Sequence, residues 1–262
     1  MNAVFVLLYA YFGACLASFA LVAAQRTLED KKWWGTERSQ CASCGRTLNA
    51  AELLPIFSYI LLKGKCRSCK APIPKECFVS ELLGAACGAF FAVRFGFSYA
   101  AAVCFTAFVF LFFSAYTDLK SGYVYDGWAF ASAAAGLAVR LMSKNTGMLA
   151  YGVYGAVFGF SLMFVLYLAS RRKGMGLGDA YFMLGYGALF GLKMTLLGLY
   201  CAFLTGGCLA CVLLIAKKVT RKTAMPLVPF LAIGALFALI IYPAVFAWFG
   251  IAADMPFQDK II

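Results

Sequence analysis

Residues 1–25 read MNAVFVLLYAYFGACLASFALVAAQ, an apolar run without a single Lys or Arg, and the first cation, Arg26, follows it. A membrane span takes about 20 predominantly apolar residues, so this run is long enough to cross a bilayer as one helix. A secretory signal peptide carries its positive charge ahead of the apolar stretch. Here the order is reversed, although Ala23 and Ala24 are as small as cleavage-site residues. The segment is therefore expected to be an uncleaved span with its N-terminus outside.

The same pattern recurs downstream. Further apolar runs lie at about 78–97, 99–117, 126–142, 147–170, 179–192, 194–216 and 226–250, which makes eight expected spans. Composition agrees: 64% of the 262 residues are apolar and 13% charged, against about 25% charged in an ordinary globular domain, and the mean hydropathy is +0.85. These values exclude a disordered chain, a collagen and a soluble enzyme of ordinary make-up. The expected fold is all-α: a polytopic membrane protein of about eight transmembrane helices with one small extramembrane domain. The domains read as 1–25, the first span; 26–77, a polar loop domain; and 78–262, seven further helices.

Orientation can be read from the cations, because cytoplasmic loops carry an excess of Lys and Arg. With the N-terminus outside, the inside segments 26–77, 118–125, 171–178 and 217–225 hold 18 of the 23 cations; Arg94, Arg140, Lys144, Lys193 and Lys260 fall outside. The net charge of +12 is thus read as a topology signal. Scattered over four loops, these cations do not form a nucleic-acid-binding patch, and no nucleic-acid partner is expected. Membrane lipid is.

The polar loop holds Cys41-Ala42-Ser43-Cys44 and Cys66-Arg67-Ser68-Cys69, two C-x2-C pairs with 21 residues between them. Four thiolates at such spacing can surround a tetrahedral Zn2+. Gly45 and Lys70 follow the pairs closely, as where backbone N–H groups turn toward sulfur. Two disulfides or a redox-active pair are the other chemistries open to these residues, and a reducing cytoplasm disfavours structural disulfides. A loop of this size builds little core of its own, so a metal would account for its folding. The seven remaining cysteines lack ligand spacing and read as small apolar core residues.

There is no histidine. That removes Ser-His-Asp and Cys-His hydrolases, HExxH zinc proteases and any His-ligated metal. Only 11 carboxylates remain. Glu29, Asp30, Glu37, Glu52 and Glu76 read as solvated loop residues, Glu81 lies near the start of the second span, and Asp254 and Asp259 are in the tail. Asp118 ends the third span, Asp126 opens the fourth, and Asp179 opens the sixth after Gly174-Met175-Gly176-Leu177-Gly178. All three are expected at the cytoplasmic membrane edge. Acids there can be merely interfacial. Glycines before Asp179 permit unusual dihedrals and close backbone approach, and its place at a helix N-terminus favours a charge. Two carboxylates sharing one proton can activate water and protonate a leaving amine.

In this order, the tetracysteine loop, the acid Glu81, the pair Asp118 and Asp126 eight positions apart, the segment Gly176-Leu177-Gly178-Asp179 and the stretch from Pro226 to Gly234 resemble the bacterial type IV prepilin peptidases. Those are GxGD-type aspartyl proteases of the inner membrane. The resemblance runs through nearly the whole chain. It implies Asp118 and Asp179 as the catalytic pair, with the GxGD loop at Gly176 and Gly178. It also implies cleavage of basic leader peptides from prepilins or pseudopilins at the cytoplasmic face, and methylation of the new N-terminus with S-adenosylmethionine. Residues for that cofactor cannot be named. Two positions depart from the family pattern: Tyr125 stands where Pro is usual and Tyr181 where Lys is usual. Tyr125-Asp126 also resembles the Tyr-Asp motif of presenilin-type GxGD proteases, which leaves Asp126 as an alternative partner of Asp179.

Two other functions fit parts of the pattern. A proton- or cation-coupled transporter would use the paired aspartates, and would place them near the bilayer midplane. A membrane-anchored zinc-ribbon binding module would need one span, not eight. Oligomeric state is not legible.

Overall fold

The computed structural model describes residues 2–32, 34, 38–143, 145–170, 176–218, 220, 225–252 and 256–257. Glu37, Lys144, Arg171, Arg172, Lys173, Gly174, Met175, Arg221, Lys222, Asp254, Asp259 and Lys260, all used in the sequence reading, lie outside these residues.

Each of the eight expected apolar runs is a helix: α1 (Ala3–Leu28), α3 (Lys75–Phe95), α4 (Tyr99–Ser121), α5 (Asp126–Leu141), α6 (Thr146–Ala169), α7 (Leu177–Phe190), α8 (Leu192–Ile215) and α9 (Val228–Trp248). A short α2 (Phe57–Leu61) lies between the cysteine pairs. No strand forms among the described residues, only two isolated bridges. Six of the helices are long and apolar enough to cross a membrane. The exceptions are α5 with 16 residues and α7 with 14. At 1.5 Å per residue they reach about 24 and 21 Å, short of a hydrocarbon core of about 30 Å.

The chain divides into two compact units, residues 1–97 and 98–262. In the first, α1 packs antiparallel on α3. Ala14, Ala17, Ala20 and Ala24 of α1 are fully buried, and a Cβ on Gly84 would strike the Gly13 carbonyl. Small residues let two backbones touch where lipid, as apolar as any side chain, supplies no hydrophobic drive.

In the second unit, α7 packs against α5 and α6, α8 against α9, and α4 against both α5 and α9. Residues 182–183 and 185–190 of α7 are all buried, as expected of a helix apolar on every side. Gly191 sits between α7 and α8 with φ of +79°, a conformation open to glycine at little cost. It breaks what would otherwise be one long helix.

Candidate active site

Asp118 lies in the last turn of α4. That helix stops where Gly122, left-handed at φ +66°, returns its N–H to the Asp118 carbonyl oxygen at 2.8 Å, a common glycine role at helix C-termini. The Asp118 side chain is buried, at 6% exposure. Its Oδ2 accepts the N–H of Val228, the first residue of α9, at 2.9 Å. The unpaired N–H groups and positive dipole end of a helix favour an anion there.

Asp179 stands in the first turn of α7, and its Oδ2 accepts the Gly176 N–H at 3.2 Å. Gly176 has no side chain to return a bond, so this is one half of a capping box. The Asp118 carboxylate is close enough for its charge to act on that of Asp179. Asp126, the first residue of α5, is exposed. All three aspartates line one cavity of about 910 Å³ with Tyr123, Gly176, Gly178, Tyr181, Pro226 and Leu227. That volume is in the range of small-molecule clefts. No Lys or Arg lines it among the described residues. Two carboxylates within reach of each other can divide into one base and one acid.

Of the two roles expected of the glycines before Asp179, close backbone approach is present and unusual dihedrals are not. Neither Gly176 nor Gly178 takes a positive φ. A Cβ on Gly178 would lie 3.2 Å from Val124 Cβ and 3.3 Å from its carbonyl oxygen, so glycine there allows close approach of α7 to the 122–125 connection. Of the two departures, Tyr125 has φ of −79°, an angle proline also adopts, and its ring lies edge-on to Phe113 at 6.4 Å. Tyr181 packs against Phe130 at 5.2 Å and Phe160 at 6.0 Å. The Val228 N–H was not foreseen. A backbone donor has no sequence signature, and Pro226 to Gly234 stood out only through the resemblance.

Cys41, Cys44, Cys66 and Cys69 come together, with all four sulfurs within 4.8 Å of one another. The Cys41–Cys69 separation is 3.8 Å, far beyond a disulfide bond and equal to the edge of about 3.8 Å that Zn–S bonds of about 2.3 Å give a tetrahedron. The two knuckles repeat one fold. The Cys41 N–H donates to Arg46 O and the Cys66 N–H to Ala71 O; the Gly45 and Lys70 N–H groups return to Cys41 O and Cys66 O. Gly45 and Lys70 both take positive φ, +69° and +59°, in accord with the turn expected after each pair. N–H groups of Cys69 and Ser68 push the Cys66 thiol down to about 6. Those of Cys44 and Ser43 lower Cys41. Cys69 receives the Ala71 N–H, yet partial desolvation among the neighbouring sulfurs and contact with them push it up to about 11. A dication is what lets all four be thiolates together. The cluster can hold a metal ion.

Three charged residues depart from the sequence reading or extend it. Glu52 is not solvated: its side chain is 6% exposed, bonds Arg46 Nη2 at 2.6 Å and accepts the Asn49 N–H at 2.9 Å. Both contacts tie it to the short turn after the first knuckle. Glu81 is also buried, accepting the Ser18 hydroxyl at 3.0 Å and the Ile56 N–H at 2.7 Å. Arg140 is no loop cation but a fully buried residue in the last turn of α5. It donates to the carbonyls of Ala188 (2.8 Å), Leu189 (2.8 Å) and Met148 (2.9 Å). Two of these are C-terminal carbonyls of α7, where a cation is favoured.

Comparison with known proteins covers most of the chain. Residues 11–95 match the family model described as Bacterial Peptidase A24 N-terminal domain, and residues 104–211 that of the Type IV leader peptidase family. A prepilin leader peptidase/N-methyltransferase of Bacillus subtilis is 31% identical over 206 residues, covering 78% of this chain and 81% of the relative. The protein of that name from Burkholderia pseudomallei is 30% identical over 75% of this chain, and the match spans 65% of its own length, just under two thirds. One from Pseudomonas aeruginosa is 29% identical over 77% of the chain and 71% of its own length. No solved structure matches.

Proposed function

The chain belongs to the type IV leader peptidase family, and on that premise we propose that it is an aspartic endopeptidase of the inner membrane. It cleaves the basic leader peptide from prepilins or pseudopilins at the cytoplasmic face and methylates the new N-terminus. The observation that carries this reading is the meeting of Asp118 and Asp179 in one cavity, each held by a backbone N–H. One carboxylate takes a proton from water, which attacks the scissile carbonyl; the other, protonated, donates to the leaving amine. Of the other two carboxylates, Asp118 is buried and held by the Val228 N–H whereas Asp126 is exposed, which favours Asp118 over Asp126. The substrate must be extended to be cut, because a helix hides its carbonyls in hydrogen bonds.

The tetracysteine cluster is the zinc site in this reading, since its sulfur geometry fits four Zn–S bonds. Its place is structural, holding the two knuckles together. S-adenosylmethionine supplies the methyl group of the second reaction. The cavity lining fits a cationic sulfonium chemically, with three carboxylates and the rings of Tyr123 and Tyr181. The chain's own task there is to orient the new amine toward the methyl donor and to take up the proton that its methylation releases, for which a carboxylate is a suitable acceptor. The orientation follows from the cations, with both termini outside and the loop domain and aspartates in the cytoplasm. A transporter is disfavoured because all three aspartates stand at helix ends.

Co-expression with a test prepilin, followed by mass spectrometry of the mature N-terminus, reports cleavage and methylation together. An uncut prepilin beside correctly inserted protein would refute the reading.

A further inference from the structure

The segment between the cysteine knuckles is too apolar for a loop in water. Leu53, Leu54, Phe57, Ile60 and Leu61 all stand exposed, Phe57 at 57% and Leu61 at 80%. Large contiguous apolar patches on a solvated surface are rare and mark a contact. We propose that residues 53–61 are embedded in the bilayer beside α1, with this face against lipid acyl chains.

Depth is the first argument. The antiparallel pair α1 and α3 is in register at Ser18 and Glu81, joined by a 3.0 Å hydrogen bond. Glu81 is about 9 Å along α3 from Lys75, and Tyr11 is about 10 Å further along α1 from Ser18, at 1.5 Å per residue. The rings of Tyr11 and Phe57 lie 6.3 Å apart and the Ile56 N–H reaches Glu81 at 2.7 Å, which together put Phe57 roughly 10–15 Å along the pair. With 21 residues, α3 is about 31 Å long, the thickness of the hydrocarbon core. A level that far along it lies among acyl chains. On α1, Leu7, Leu8, Tyr11 and Phe12 are exposed, so the apolar face of the segment continues the lipid-facing surface of a spanning helix.

The backbone is the second argument. Irregular chain at membrane depth must find partners for its own polar groups. Pro55 has no N–H. The Phe57, Ser58, Ile60 and Leu62 N–H groups bond to Pro55, Leu54, Ile56 and Ser58 carbonyls within the segment. The N–H of Ile56, which the left-handed φ of +66° turns out of the helix, is taken by the buried Glu81 carboxylate at 2.7 Å. A carboxylate inside a membrane protein needs such donors, and Ser18 and Ile56 provide them. Tyr59, on the inner side, stacks on Phe78 of α3 at 4.6 Å.

The test uses the full-length chain in dioleoylphosphatidylcholine vesicles, with the photo-crosslinker p-benzoylphenylalanine replacing Phe57 or Leu61 in turn and Arg67 as the control position. Irradiation should give a lipid adduct at both positions and none at the control, read by mass spectrometry. Chain-to-chain crosslinks would show that a second copy covers the face, and an absence of any adduct would show a solvated loop; either overturns the proposal. Since the bulky probe could displace the segment, Phe57→Trp serves as the second variant. Its added emission should fall at least twofold with dibrominated lipid; quenching by aqueous iodide instead would also overturn the proposal.

Discussion

The carboxylate of Asp118 at the end of α4 accepts the backbone N–H of Val228 at 2.9 Å, so one proposed catalytic group also caps the first turn of α9. The side chain therefore has a structural and a chemical task that a single substitution can separate. Asp118→Asn keeps an oxygen to accept the N–H but loses the acid–base chemistry. It should insert and keep thermal stability near wild type while leader cleavage falls below detection. Asp118→Ala should lose activity and about 1 kcal/mol of stability besides, the usual cost of a lost cap. Cleavage scored on gels beside thermal unfolding checks both; an active Asp118→Asn would remove it from the pair.

Asp179 should be equally indispensable, because one carboxylate cannot be base and acid at once. Asp179→Asn is expected to abolish cleavage, while Asp126→Asn, altering an exposed residue of the same cavity, should retain a substantial share. The same co-expression assay decides it. Loss in Asp126→Asn with activity kept in Asp118→Asn would move the pair.

Gly178→Ala should slow cleavage without unfolding the protein. The new methyl would meet Val124 Cβ at 3.2 Å and its carbonyl oxygen at 3.3 Å, so the start of α7 must shift by a few tenths of an ångström, taking Asp179 with it. Misplacement of that order should cost roughly tenfold in kcat, given that about 1 Å can cost a hundredfold. An unchanged rate in single-turnover measurements would show that the close approach does not set the Asp179 position.

Purified protein should carry about one Zn2+ per chain. Replacing both Cys44 and Cys69, the two exposed ligands, with Ser should empty the site by elemental analysis. If the loop domain serves methyl transfer, as the resemblance implies, Cys41→Ser or Cys66→Ser should reduce methylation more than cleavage, since the proposed peptidase chemistry uses no metal. Scoring cleaved and methylated product separately tests this; equal loss of both would assign the loop to folding or substrate docking.

Arg140→Met should destabilise the 98–262 unit by on the order of 3 kcal/mol, because it leaves the carbonyls of Ala188, Leu189 and Met148 without their charged donor. Arg140→Lys should lose less, keeping the charge but not the fork of donors. Detergent-solubilised thermal unfolding reads the order; equal stability of Met and wild type would contradict it.

Hydropathy was enough to locate eight helices, six of them of spanning length, because a strongly apolar run has few stable states in a bilayer other than a helix. Cysteine spacing was enough to foresee the cluster and the turns at Gly45 and Lys70, since a tetrahedral ion restricts how four sulfurs can be strung along a chain. Both are local patterns, carried by neighbouring residues. What only the tertiary structure decided depends on partners far apart in sequence. Asp118 meets an N–H 110 positions away, Arg140 finds carbonyls 48 and 49 away, and Glu81 reaches Ile56 and Ser18. Except for the Ser18 hydroxyl, the partner in each case is a backbone group that nearly every residue type carries, so composition and spacing hold no trace of it. Which of its two expected roles Gly178 takes, room rather than a dihedral, and the place of Arg140, as a buried cap rather than a loop charge, were beyond a linear reading. Both are set by which helix packs against which.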